Sequence, residues 1–379
     1  MNDDDCGFVT DALLEEEDIC NFKREIAQLD HLVEHKGRAI LYAPRNYGKT
    51  SIIKNVTARH FAKRHKQGLI FFADFMEVKS MADIELRLTR SFEKAYNRHF
   101  PLKSILSALK AFVSGLRYDV ELDPMTGLPS VQLQPGPQRK ATVTIQDIFD
   151  SLQRIAQTRP VLLIFDEFQD IHSIASAQSL FRQGFQTLSK TPIIVSGSKR
   201  HLLAEIFAKP AAPLAAWGVD IELKPIDYEV YHRYIQDRLK RARIKLPLAV
   251  SQQLQDAMQR IPEAINMLCQ QLLRDCSGKT LDSDMTAQAL INLIEQRASR
   301  YEAVCAGLTE NEVGLLAQLA RQDYVSQPLA KSFLRTVKIS AGGVSQLVKK
   351  LMNMGMIEKE SQGYRLSDPL FKHFLTRFR

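Results

Sequence analysis

A short apolar run, Ala39 to Tyr42, leads into the loop Ala43-Pro44-Arg45-Asn46-Tyr47-Gly48-Lys49-Thr50-Ser51, after which Ile52, Ile53 and Val56 recur at helical spacing. Strand, tight loop, Gly-Lys-Thr and helix, in that order, constrain this chain more than any other feature. They are the layout with which a backbone wraps phosphate at the positive end of a helix. The nine loop residues are the candidate nucleotide-binding stretch. Backbone N–H groups from Asn46 to Thr50 would surround a β-phosphate. Lys49 would reach the β- and γ-phosphates as a point charge, and Thr50 would offer its hydroxyl to Mg²⁺. Gly48 lets the backbone approach where a Cβ would collide. The usual pattern begins with Gly where this chain has Ala43, which fits if φ is negative there.

A second apolar run, Val161-Leu162-Leu163-Ile164-Phe165, ends in Asp166-Glu167. Continuous apolar runs mark parallel strands buried on both faces, and ligands bind beyond the carboxyl ends of such strands. Asp166 is therefore the expected partner of Mg²⁺, and Glu167 the group that polarises an attacking water. A third strand, Pro192 to Val195, ends in Ser196-Gly197-Ser198. Either serine could contact a γ-phosphate or orient water, and Ser198 is taken as the catalytic candidate; a plain Ser/Gly turn is the other reading. Arg200, just beyond, reads as a surface arginine or as an arginine finger acting in trans.

The rest of the first 224 residues fits an α/β layer around these strands. Phe22, Ile26, Leu29, Leu32 and Val33 predict an amphipathic helix before the loop strand; the segment reads as a packing element or, more sharply, as lining an adenine pocket around Phe8 or Ile19. Gly68 to Asp74 reads as a strand, and Asp83–Asn97, Leu102–Phe112 and Thr144–Thr158 as helices. The basic residues Arg59, Lys63, Arg64 and Lys66 read as a solvated face. Val219 to Leu223 is a fifth strand. Residues 116–135 alternate apolar and polar around Asp123-Pro124-Met125-Thr126-Gly127, which predicts an inserted β-hairpin. It reads as a partner-binding arm or as the cover of a sheet edge.

From Asp227 the pattern turns helical: Asp227 caps one helix, Leu248–Met258 forms a second, Pro262 opens a third, and Thr286–Tyr301 forms a fourth. A capping box, Thr309 with Glu312, starts the last segment. Its second helix runs through Leu329, Phe333 and Leu334, and its third opens at Ser340 with Val344, Leu347, Val348 and Leu351 on one face. A hairpin then turns at Ser361-Gln362-Gly363. Three helices and a β-wing predict a winged helix, with Ser345, Gln346, Lys349 and Lys350 as the candidate DNA-contact face of its third helix. Winged helices also dock proteins, so a protein partner there, or at the 116–135 hairpin, stands beside double-stranded DNA.

Charge bears on this choice. The chain carries a formal net charge of +8, and residues 308–379 hold eleven Lys and Arg against six Asp and Glu. Hydrophobic residues make up 45% of the chain, enough for more than one core in 379 residues, with no apolar run of transmembrane length. The acidic start, Met1-Asn2-Asp3-Asp4-Asp5, is unlike a signal peptide, and five cysteines form no C-x-x-C pair. The expected setting is therefore cytoplasmic, with no membrane partner; self-association stays open. No N-K-x-D pattern follows the core strands, which argues against guanine nucleotides.

With these residues in place, the chain resembles, over nearly its whole length, the archaeal-type ATPase family of the P-loop STAND/AAA+ group, relatives of the origin-recognition initiator ATPases. The resemblance rests on Phe22-Lys23-Arg24-Glu25, the loop 43–51, Asp166-Glu167-Phe168-Gln169, Ser196-Gly197-Ser198 and the ending Gly363-Tyr364-Arg365-Leu366-Ser367-Asp368-Pro369-Leu370-Phe371. It implies an α/β parallel sheet with an additional strand, carrying Val195, between the loop strand and the Asp-Glu strand. It further implies a core over 1–224, an all-α lid over 225–305 and a winged helix over 306–379. Such relatives bind ATP with Mg²⁺ and act as switches. A lid proline touches adenine in related proteins, and Pro262 resembles it. The family usually has Gly where Arg260 stands, and its sensor arginine has no match here.

Overall fold

The computed structural model describes residues 7–10, 12–99, 116–122, 129–135, 140–360 and 362–378. The expected helix at 102–112 and the turn residues 123–127 and Ser361 lie outside them. The chain divides into two compact units, Leu13–Lys224 and Met1–Ala12 with Pro225–Arg379.

The first unit is built on a five-stranded parallel sheet. Its strands are β1 (Arg38–Tyr42), β2 (Leu69–Asp74), β5 (Val161–Asp166), β6 (Ile193–Gly197) and β7 (Val219–Glu222), in the order β2-β5-β6-β1-β7. The additional strand β6 thus lies between the loop strand and the Asp-Glu strand, as expected. Registration is direct: Leu41 pairs with Ser196, Tyr42 with Gly197, and Phe165 with Val195. This brings the carboxyl ends of β1, β5 and β6 to one edge.

Helices α1 (Lys23–Glu34), α3 (Met81–His99), α4 (Ala141–Thr158), α5 (Ala177–Thr187) and α6 (Arg200–Phe207) accompany the sheet. Between α1 and α3 in sequence, helix α2 starts as Lys49–Ser51, passes through a π-helical turn at Ile52–Thr57, and ends as Ala58–Arg64. β5 is buried at every position, which is why it reads as an uninterrupted apolar run. Phe165, Phe168, Phe181 and Phe185 form an aromatic core beside it, with edge-on contacts such as Phe168–Phe181 at 5.0 Å. Gly184 is small for this packing: a Cβ there would lie 2.4 Å from the Phe149 ring.

The hairpin forms as β3 (Leu116–Leu122) and β4 (Pro129–Pro135), a separate two-stranded sheet. Among the described residues it is not hydrogen-bonded to the edge strand β2. Instead β4 is fastened to α3, where Asn97 accepts from Val131 N–H and donates to Val131 C=O, both at 2.9 Å. Glu93 accepts from Leu133 N–H at 3.1 Å. Val131 and Leu133 are buried, while Arg117, Tyr118 and Asp119 face solvent.

The second unit is helical until its last part. Its first helices are α7 (Tyr228–Leu239), capped by Asp227, α8 (Leu248–Ala257) and α9 (Pro262–Asp275). The single helix expected at Thr286–Tyr301 is two, α10 (Ser283–Gln296) and α11 (Ala298–Ala306). Arg297 interrupts it at φ −106° and ψ 2°, its N–H turned to Ile294 C=O in a tightened last turn.

Helix α12 (Glu310–Ala320) has both bonds of the Thr309–Glu312 capping box. Helix α13 (Lys331–Val337) starts later than the periodicity suggests: Pro328 lies in a turn closed by Ala330 N–H to Gln327 C=O, which leaves Leu329 half exposed ahead of the helix. Helix α14 (Ala341–Asn353) is capped by Ser340, and β8 (Ile357–Glu360) and β9 (Gly363–Leu366) make the wing. Val325 bridges to Tyr364 as a third, one-residue strand, and α15 (Pro369–Phe378) closes the unit through Phe371 and Phe374 against Tyr301. Cys20, Cys269, Cys276 and Cys305 are free thiols. Among the described residues, no helix is long and apolar enough to cross a membrane.

Candidate functional site

The loop after β1 turns on two left-handed residues, Asn46 at φ 67° and Gly48 at φ 80°. Ala43 is fully buried and is absent from the positive-φ positions, so alanine fits where glycine is usual. Pro44 and Arg45 continue the loop, and Tyr47 tucks into the core at 3% exposure. The loop delivers Lys49 to the first turn of α2, pointing inward. Ser51, on the same turn, accepts from Leu14 N–H at 3.0 Å, so its side chain anchors the segment ahead of α1.

Lys49 Nζ lies 2.9 Å from Asp166 Oδ1 and 2.8 Å from Glu167 Oε1. Thr50 Oγ1 donates to Asp166 Oδ2 at 2.9 Å, and Ser196 Oγ donates to Asp166 Oδ1 at 2.6 Å. Glu167 adopts φ 49°, which turns the chain from β5 into the short turn Phe168–Ile171. Its Oε2 accepts from Ser198 Oγ at 2.9 Å and from Gln169 Nε2 at 2.6 Å. The two serines thus divide the work: Ser196 holds Asp166 and Ser198 holds Glu167.

Electrostatics follow from burial and pairing. Burial alone would raise the carboxyls of Asp166 and Glu167. The Lys49 charge and the surrounding hydrogen bonds outweigh it, and both titrate below the ordinary carboxylate values. Burial alone would likewise lower the Lys49 ammonium, but the two carboxylates together hold it above its usual value. One ammonium facing two carboxylates leaves an uncompensated negative charge. Thr50 Oγ1 and Asp166 Oδ2 are adjacent hard oxygen donors on that negative side, the set a Mg²⁺ ion prefers. The residues therefore fit the ion. Among the described residues, no cluster of three or more His, Cys, Asp or Glu forms a metal site by itself.

The sequence pattern assigns Gln169 no role. It is 1% exposed, and its Oε1 has no hydrogen-bond partner among the described residues. Arg200 is paired within its own unit, 2.8 Å from Glu222 Oε1, and lies over the Tyr42 ring.

In the second unit, Pro262 occupies the first position of α9, and its carbonyl accepts from Tyr231 Oη at 3.0 Å. Gln259 and Arg260 before it both have positive φ, 53° and 57°. That conformation suits the glycine usual at the Arg260 position. On α14, Ser345, Gln346, Lys349 and Lys350 are all exposed. Lys350 is engaged: its ammonium is 2.5 Å from Oε1 of the buried Glu312, the same carboxylate that caps α12.

Residues 299–377 match the model of a family described as a probable winged helix domain. No curated protein matches the chain in sequence. Among solved structures, a Walker-type ATPase of Pyrococcus abyssi is similar at TM-score 0.60 and 17% identity, covering 97% of this chain and 99% of the other. The ORC1 protein of Aeropyrum pernix, solved in complex with DNA, is similar at TM-score 0.51 and 12% identity over 94% and 92% of the two chains. The ORC2 protein of the same organism, solved with ADPNP and ADP, is similar at 0.50 and 14% over 94% and 93%. The chain has the P-loop ATPase fold of these structures, continued by a helical region and ending in a winged helix.

Proposed function

We propose that the protein binds ATP with Mg²⁺ at the 43–51 loop, hydrolyses it slowly, and uses the bound nucleotide as a switch that governs DNA contact by its winged helix. The observation that carries this reading is the cluster of buried Lys49 and Asp166 with half-buried Thr50 and Glu167 at the carboxyl edge of the sheet. A lone ammonium among carboxylates, beside backbone donors of a loop with left-handed Asn46 and Gly48, is suited to a phosphate chain carrying its own counter-ion. Lys49 offsets phosphate charge. Mg²⁺, held by Thr50 and Asp166, supplies Lewis acidity to the phosphoryl oxygens when bound. Glu167, oriented by Ser198 and Gln169, accepts the proton of the attacking water. Pro262 is assigned to the adenine, with residues 225–305 as the lid and 306–379 as the winged helix.

The exposed Ser345, Gln346 and Lys349 of α14 support a DNA face, as does the resemblance to a protein solved with DNA. A second reading, a signalling or scaffold ATPase whose winged helix docks a protein, is favoured by one observation. Lys350 is bound to Glu312, so α14 offers fewer free cations than its sequence suggests.

The test is fluorescence anisotropy of a labelled duplex titrated with Glu167→Gln protein, with and without ATP·Mg²⁺, at several salt concentrations. Binding that weakens linearly in log salt and shifts with ATP supports the switch. Uptake of ATP with no duplex binding at low salt would overturn the DNA part and favour the protein-docking reading.

A further inference from the structure

A trough of about 660 Å³ lies in the first unit between α2 and α3, with Lys49 and Thr50 outside its lining. Its floor is apolar: Phe72 and Ile70 of the edge strand β2, and Ile164 of β5. Its flanks are cationic. Lys54 and Arg59 come from α2, and Arg87, Arg90, Lys94 and Arg98 come from one side of α3. Against these six cations the lining holds a single carboxylate, Asp74.

Three of the cations have occupations. Lys54 sits 3.9 Å from the centre of the Phe72 ring, Arg59 pairs with Glu15, and Arg87 donates to Met76 C=O at 3.2 Å. Among the described residues, no hydrogen bond or ion pair engages Arg90, Lys94 or Arg98. Like charges converging on a concave, apolar-floored surface repel one another and focus a positive potential, an arrangement that a bound anion relieves. The α2 flank also carries the π-helical turn Ile52–Thr57. Such turns occur often at functional sites, and this one presents Lys54 and Asn55 to the trough.

We infer that this trough is a second anion site, beside the P-loop and separate from it, that takes a compact polyphosphate of nucleotide size. The volume is that of a small-ligand site. Lys54 and Arg59 face the α3 cations across the apolar floor, so a ligand between the flanks meets positive charge on two sides, which suits phosphates clustered on one molecule. From Arg87 to Arg98 the α3 flank extends about 16 Å at the helical rise. That length holds one nucleotide-sized ligand, whereas a single strand of roughly four or more nucleotides would run past its ends. Because Lys54 lies on the helix that begins with Lys49 and Thr50, occupancy of the trough would act on the P-loop through α2. The proposal does not depend on the nucleotide chemistry assigned to the P-loop.

Calorimetric titration of the full-length chain with inorganic tripolyphosphate tests it. Wild type is expected to take two equivalents, one at the P-loop and one in the trough. Arg90→Glu combined with Lys94→Glu alters two exposed side chains and is expected to leave one equivalent, with Mg·ATP binding intact. In Lys49→Met the remaining equivalent is the trough's. Adding Arg90→Glu and Lys94→Glu to it is expected to weaken that equivalent about tenfold or more. One equivalent in wild type, untouched by the Arg90/Lys94 changes, overturns the trough site and leaves the P-loop reading standing. One wild-type equivalent that the Arg90/Lys94 changes abolish supports the trough and sinks the P-loop reading alone. Displacement of tripolyphosphate by a tighter-binding single strand would overturn the compact-ligand assignment in favour of nucleic acid.

Discussion

The Lys49 ammonium lies 2.9 Å from Asp166 Oδ1, and the two side chains are 6% and 3% exposed. Removing one partner of a buried pair strands the other, which costs about 3–5 kcal/mol. Lys49→Met should therefore abolish ATP binding and also destabilise the fold by that order. Its pH dependence gives a sharper test. In wild type, Asp166 and Glu167 titrate below their ordinary values of 3.8 and 4.5, so their contribution is complete above those values and lost as pH falls through the folded-state values. Lys49 is raised above 10.5, so its share persists below that pH and is lost as pH rises beyond it. Without the ammonium, burial and mutual repulsion raise the carboxyls instead, and protonation then favours the folded state. The gap in melting temperature between wild type and Lys49→Met should narrow as pH drops from 7 to 3. A gap that stays constant would remove the buried pair from the stability account.

Glu167→Gln keeps the shape of the side chain and removes the base. ATP should still bind, while phosphate release should fall by about 10²–10⁴-fold. Ser198→Ala loosens Glu167 without removing it, and a loss of about tenfold is expected, the free-energy scale of one hydrogen bond to a charged group. Full turnover in Glu167→Gln would move the catalytic role elsewhere.

Gly197 is where the site depends on the absence of a side chain. A Cβ there would stand 2.0 Å from Gln169 Oε1 and 3.0 Å from Leu203 Cδ1. Gly197→Ala should push the Gln169 amide off Glu167 and cost about 1–3 kcal/mol, the usual range for overpacking. Gln169→Ala should relieve that strain, so the double variant should be more stable than the sum of the single effects. Additive melting shifts would mean that Gln169 is not the group displaced.

The geometry of the candidate site was legible where one residue type has one physical use. Lys49, Thr50, Asp166 and Glu167 converge because parallel register fixes the carboxyl ends of β1 and β5, and both strands could be read from their apolar runs. The placement of β6 between them came with the family resemblance, since strand order is not written in periodicity. The role of Gln169 was not legible: it arises from the left-handed turn at Glu167, which brings Gln169 back onto the carboxylate two residues before it. The seat of the hairpin was hidden for a similar reason. Its alternating pattern predicts two strands but not the Asn97 amide that fastens Val131 to α3. In the winged helix, the exposed face of α14 followed from periodicity, but Glu312 reads as a capping residue only, and its second partner, Lys350, lies thirty-eight positions further along the sequence.

That pairing gives the two lysines of α14 different futures. Lys349 is exposed and has no carboxylate partner among the described residues, whereas Lys350 holds the buried Glu312. If α14 meets DNA phosphates, Lys349→Ala should weaken duplex binding across sequences and reduce the slope of log K against log salt by about one, with the melting temperature unchanged. Lys350→Ala should act chiefly on the fold: it removes a charge from a carboxylate that is 1% exposed and also caps α12, so unfolding should come earlier by about 1–3 kcal/mol. Its salt slope should stay near that of wild type. Measuring both variants by anisotropy and by thermal melting separates the two roles. Equal changes in slope would show Lys350 leaving Glu312 for phosphate. A flat response from Lys349→Ala would take α14 out of the DNA contact.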